Sequence, residues 1–238
     1  MSALSVPTEL ATPARTTEPG RAPAWRRSLR SVPGAVGIAY TATWIAGLSV
    51  WAQNLAVTST AHQVVTAYSG GRTPATIQFV LTEGLPAIGL AVISAALSRA
   101  ALRTGLPSRR ARFIDLTGAL AATISLIQTV LGSLLAQVAA PAGELSRSAL
   151  LFEAVNRLDG VKMFALAALA LGAGALVRTG ALPKWLGYTG IALAVTIIAS
   201  GFGYLVLSPS LALLAYASLP LLLVWITGSG IVLGRTGR

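Results

Sequence analysis

The stretch Trp185–Val206, WLGYTGIALAVTIIASGFGYLV, runs for 22 residues without a charged side chain. A helix rises about 1.5 Å per residue, so about 20 such residues cross a hydrocarbon core about 30 Å thick. Lys184 and Trp185 stand where such a span would meet the headgroups, a basic residue beside an aromatic anchor.

Five further apolar runs share this character: Gly34–Leu55, Thr76–Ser98, Ile114–Leu135, Val161–Val177 and Leu211–Leu233. The fourth is short and is expected to begin before Gly160. Strands of a membrane barrel would alternate apolar and polar residues over about 10 positions. These runs are solid apolar blocks, so the expected fold is an all-α polytopic membrane bundle of six transmembrane helices. Composition agrees, with 54% hydrophobic and 11% charged residues and a mean hydropathy of +0.72. Soluble domains carry about 25% charge on average.

Charge placement orients the bundle. Arg15, Arg21, Arg26, Arg27 and Arg30 precede the first run, and Arg99, Arg103, Arg109, Arg110 and Arg112 join the second to the third. Arg178 and Lys184 join the fourth to the fifth, and Arg235 and Arg238 follow the sixth. The opposite connections hold only Arg72, Arg147 and Arg157, with Lys162 at a span edge. The positive-inside rule then places both termini in the cytoplasm. The net charge of +11 is thus read as attraction to anionic lipids on the cytoplasmic face of the bilayer, not as a nucleic-acid surface.

Three regions follow: a disordered cytoplasmic tail over 1–33, a six-helix domain over 34–234 and a cytoplasmic tail over 235–238. The first contains Pro7, Pro13, Pro19, Pro23 and Pro33 among Ala, Thr and Arg, a composition that buries no core. Its arginines and the long run after them read as an uncleaved signal anchor. With no cysteine, the chain has neither disulfides nor thiolate metal sites.

Two outer connections carry structure signals. Thr58–Gly71 has helix start and stop residues and predicts a short helix. Glu144–Leu158 sets Leu145, Ala149, Phe152 and Val155 near one helical face, which predicts an amphipathic helix on the outer leaflet or over the bundle. Arg-Thr-Gly recurs at 103–105, 178–180 and 235–237, with Leu-Pro after the first two. Three similar hairpins would produce it, and so would convergent helix capping, the preferred reading. Gly118, Gly132, Gly172 and Gly174 suit close helix packing, and Gly230 and Gly234 form a GxxxG spacing that could serve a homodimer or a partner membrane protein.

Ionisable residues within spans are costly and face the bundle interior. Glu83 lies about seven residues, or about 10 Å, into the second run, within Thr82-Glu83-Gly84-Leu85-Pro86. Pro86 lacks an N–H and would free a carbonyl near Thr82, and Gly84 would permit a bend. Asn156-Arg157-Leu158-Asp159-Gly160-Val161-Lys162 enters the fourth run from the same side. Glu83, Asp159, Lys162 and Asn156 are therefore the candidate ligand or ion residues, in a polar pocket opening outward, with Gln53 and Asn54 as further members. A structural ion pair is the plainer reading of the same residues. His62 could join carboxylates at a metal site, though a lone surface histidine is commoner, and no metal or cofactor is expected. Asp115 reads as an N-terminal cap of the third span, and Gln128 as a bond across helices.

The sequence has no HExxH, no GxSxG and no GxxxxGK[ST], and no catalytic residue is expected. Leu182-Pro183-Lys184-Trp185-Leu186-Gly187, Leu81-Thr82-Glu83-Gly84 and the Asn156–Lys162 segment together resemble uncharacterised, actinobacterial-type bacterial membrane proteins with an LP-[RK]-x-LG element. The resemblance implies a six-helix, multi-pass protein of the bacterial plasma (inner) membrane and carries no activity. The sequence assigns this membrane protein no role; the first candidate is a small-molecule or ion transporter centred on Glu83. The alternatives are a non-catalytic accessory or regulatory subunit and, last, a lipid-acting enzyme.

Overall fold

The computed structural model describes residues 31–51 and 55–236. The arginines before the first run, Gln53, Asn54, Gly237, Arg238 and most of the expected disordered tail lie outside the described residues. Among the described residues the chain is all-helical, with no strand.

Helix α1 spans Val32–Val50; Ser31 caps it by accepting the Gly34 N–H at 3.3 Å. The expected short helix is α2, Ala61–Gly70, opened by a capping box between Thr60 and Gln63. Then α3 (Arg72–Phe79), a π turn (Val80–Gly84) and α4 (Leu85–Arg103) form one continuous rod. Helix α5 is Ser108–Leu134, followed by a second π turn, Leu135–Ala139. The remaining elements are α6 (Leu145–Ala173), α7 (Ala175–Arg178), α8 (Lys184–Leu205), α9 (Pro209–Ala212) and α10 (Ala215–Thr236).

Five of these rods are long and apolar enough to cross a membrane: Arg72–Arg103, Ser108–Ala139, Leu145–Arg178, Lys184–Leu205 and Pro209–Arg235. Helix α1 is the sixth long helix. It has 19 residues and no charged side chain, and Tyr40, Thr41, Thr43 and Trp44 lie at its centre. The long helices pack in chain order, α1 on α4, α4 on α5, α5 on α6, α6 on α8 and α8 on α10; α10 returns to α1 and closes the ring. The short links at 104–107 and 179–183 make their neighbours antiparallel. Arg103, Arg109, Arg110, Arg178, Lys184 and Arg235 thereby share one end of the bundle. Outward faces are apolar: on α5, Leu116, Leu120, Ile127, Val130 and Leu134 form an exposed stripe at helical spacing. Water would penalise such a stripe; lipid solvates it.

Turn chemistry accounts for two of the Arg-Thr-Gly repeats. Gly105 and Gly180 adopt left-handed φ values of 78° and 76°, which a Cβ would strain. Chain reversal there lets Leu106 N–H reach Ala101 O at 3.0 Å and Leu182 N–H reach Leu176 O at 3.1 Å. Each closes a helix end, as capping requires.

Three expectations are corrected. First, Glu144–Leu158 is not a separate surface helix. Residues 145–158 are the opening turns of α6, a single helix of 29 residues. Gly160 does not break it, since at that point α6 lies against α8. A Cβ on Gly160 would come within 2.7 Å of Gly201 O, and one on Gly201 within 3.1 Å of Gly160 O. Second, α5 begins at Ser108, so Asp115 is an exposed residue inside the helix and not its cap. Third, Pro86 is accommodated by a π turn, which the proline alone does not predict. Leu85, the residue before it, donates its N–H to Val80 O, five residues back. The widened turn absorbs the donor that Pro86 lacks. The same solution recurs before Pro141, where Ala140 N–H reaches Leu135 O at 3.1 Å.

Glycine contacts fix the remaining seams. Gly37 lies against the Ile226–Thr227 backbone, and Gly230 against Pro33 O and Gly37 Cα, so the Gly230 face is taken by α1 of the same chain. Thr41 and Thr227 hydroxyls, 2.7 Å apart, clasp that seam, and Thr227 also donates to Gly37 O at 2.9 Å. The main core surrounds Trp225, Ile93, Leu97, Leu169 and Leu193. A smaller core at the non-basic end packs Val64 and Tyr68 of α2 against Ala75, Leu135 and Ala136. There Trp51 meets Tyr68 edge-on at 4.9 Å, and Tyr68 stacks on Phe79 at 6.4 Å.

Candidate functional site

Glu83 occupies the π turn between two close helix contacts. On one side Gly47 of α1 leaves room for the Thr82 side chain, where a Cβ would collide with Thr82 Cγ2 at 2.6 Å. On the other, Gly84 faces Thr129 of α5. Thr82 turns its hydroxyl back to Gln78 O at 2.9 Å, which leaves Glu83 as the inward polar group of the turn.

Lys162 projects from α6 to meet it. Its Nζ lies 2.8 Å and 2.7 Å from the two Glu83 carboxylate oxygens, and 2.6 Å from Asp159 Oδ1, one turn earlier on α6. The cation thus bridges two carboxylates from different helices. Glu83 and Lys162 are 7% and 5% exposed, so water screens the pair weakly. Ser125 of α5 stands beside the Glu83 carboxylate. Gln128 of α5 donates to Val155 O at 3.0 Å and to Asp159 Oδ1 at 3.3 Å, so it bonds across helices to α6. Three helices therefore converge on one charged knot, whereas the other buried polar side chains of the interior are uncharged.

The knot adjoins a cavity of about 500 Å³ at the non-basic end of the bundle. Asp159 and Lys162 form its charged wall. Trp44 of α1, Tyr204 of α8 and Tyr216 of α10 supply aromatic walls, and Leu55–Val57 and α9 surround the mouth. Glu83 is not a lining residue; it sits behind Lys162. The expectation of a pocket around Glu83 is therefore corrected to a pocket on Asp159 and Lys162, with Glu83 as their support. Both bonds of Asp159 fall on Oδ1, and its side chain retains 19% exposure.

Asn156 does not join the knot. Its Nδ2 donates to Phe152 O of its own helix at 2.8 Å. His62 is exposed on α2, and among the described residues no three His, Cys, Asp or Glu side chains converge as a metal would require. The aromatic walls were not legible in the sequence. Trp44, Tyr204 and Tyr216 come from three helices, and no local spacing links them.

Two carboxylates facing one ammonium carry a formal charge of −1. An arrangement of this kind, beside aromatic faces, attracts cations by charge and by cation–π contact. The comparisons with known proteins add nothing to this chemistry: no family model matches the chain, and no curated protein or solved structure matches it either.

Proposed function

We propose that the chain is a six-span protein of the bacterial plasma membrane, with both termini in the cytoplasm, that binds and transports a small cationic solute or ion. Five apolar rods, the place of α1 in the closed ring and the gathering of cations at one end support this topology. The resemblance to actinobacterial membrane proteins belongs to the same proposal. In this orientation the cavity opens outward.

The observation that carries the reading is the triad of Glu83, Lys162 and Asp159 behind a cavity of about 500 Å³. A cation entering beside Tyr204 and Tyr216 competes with Lys162 for Asp159. Glu83 holds the displaced ammonium, so the occupied site never leaves Lys162 unpaired. Such an exchange couples occupancy to a small movement of α6 against the π turn, the element with the least regular hydrogen bonding in the α3–α4 rod.

Native mass spectrometry of the protein extracted gently from its own membrane tests this, with Asp159→Asn alongside. A cationic adduct retained by the wild type and lost in the variant is the expected result. A stoichiometric partner chain with no small adduct would instead favour an accessory subunit. One observation favours that second reading. Glu83 is fully satisfied by Lys162 and does not line the cavity, as a purely structural clamp would be.

A further inference from the structure

A second cleft, of about 1000 Å³, lies at the basic end between the start of α5, the α6–α7 junction and the start of α8. Arg109, Arg110, Arg178 and Lys184 all line it. All four are exposed, and none has a carboxylate partner among the described residues. Four exposed cations lining one cleft give it a positive field that attracts an anion.

The cleft is divided by chemistry. Its cations sit at the end of the bundle, while its walls continue along the membrane-facing sides of α6 and α8. Leu171 and Ile191 there are 52% and 57% exposed, and Phe113 and Tyr188 flank them. The interruption beside the cleft is local: α6 stops at Ala173, and Gly174, still in the right-handed helical region, leads into α7 at Ala175. At Gly172 a Cβ would press on the Phe113 ring at 3.1 Å, so the glycine lets that aromatic wall approach.

A soluble anion would use the cationic end alone. An occupant that uses both parts has an anionic head and an alkyl tail. We infer that this cleft is a specific site for one anionic phospholipid, its phosphate held by Arg109, Arg110, Arg178 and Lys184 and its acyl chain lying against Leu171 and Ile191. Four cations suit a headgroup with two phosphodiesters better than one with a single phosphate. The site is remote from the Asp159 cavity and stands whether or not that cavity transports anything.

The test places the full chain in nanodiscs of zwitterionic phosphatidylcholine doped with a diphosphatidyl phospholipid, then counts retained lipid by native mass spectrometry after release into detergent. Wild type is expected to retain one anionic phospholipid. The double variant Arg110→Gln with Arg178→Gln is expected to bind it about thirtyfold more weakly, as removal of two cations implies. Arg103→Gln with Arg112→Gln removes the same charge from the same end outside the cleft and is expected to keep the lipid. All four positions are exposed, and a thermal melt of each variant confirms that the fold is intact. Equal loss in both double variants would mean diffuse surface charge and overturn the proposal. So would a wild type that retains no lipid, or full displacement of the lipid by glycerophosphate, which lacks an acyl chain.

Discussion

Lys162 is the residue on which the interior charge balance turns. Lys162→Met would leave Glu83 and Asp159 facing each other without a cation, a change expected to destabilise the fold by about 3–5 kcal/mol. Glu83→Gln should cost less, because Lys162 keeps Asp159 at 2.6 Å. Unfolding of both single variants and the double variant in mixed micelles should give a coupling of about 0.5–3 kcal/mol, the double variant losing less than the sum of the singles. Strict additivity would show that the bridge contributes nothing. Much of this knot was legible in the sequence, because counting helical rise from a shared outer end brings Glu83 and Lys162 to one depth. The misplacement of Asn156 has a physical cause. Asparagine can satisfy its amide on its own helix, as it does at Phe152 O, and then has no need of the neighbouring charges.

Glycine and proline decide the elements. Gly160 looks like a helix breaker beside Asp159, yet its lack of a Cβ serves the contact with Gly201. Gly160→Val should therefore cost about 1–3 kcal/mol by forcing α6 away from α8. Gly70→Ala, where a Cβ would meet nothing within 4 Å, should stay within about 0.5 kcal/mol of wild type. Thermal melts of the two variants check the contrast; equal effects would mean that the α6–α8 seam is loose. The seam also explains why one expected surface helix merged with the fourth span. Periodicity reports which face is apolar, but not whether a glycine ends a helix or permits a neighbour to approach. The π turns were half legible. Pro86 announced a disturbed hydrogen bond, while its repair through Leu85 and Val80 depends on how α1 and α5 crowd the turn.

At the scale of the molecule, the ring of helices follows from apolar run lengths and short basic links, both plain in the sequence. The cavity does not, because α1, α6, α8 and α10 each contribute one wall and only packing brings them together. The polar and aromatic centre of α1 suits this place: its Trp44 faces a cavity, while Thr41 pairs with Thr227 at the α10 seam. Since the chain has no cysteine, single cysteines can report which side of the membrane each part faces. Ser146→Cys and Ser108→Cys mark the two ends of the bundle, and Met163→Cys lies on the cavity wall next to Lys162. The decisive measurement is labelling of these variants with a small, cationic, membrane-impermeant thiol reagent, in intact cells and after permeabilisation. The account predicts that Met163→Cys and Ser146→Cys react in intact cells, that Ser108→Cys reacts only after permeabilisation, and that Asp159→Asn slows the reaction at position 163. Reaction of Ser108→Cys in intact cells, or a position 163 that stays inert from outside while Ser146→Cys labels, would contradict an outward cavity that draws cations to Asp159.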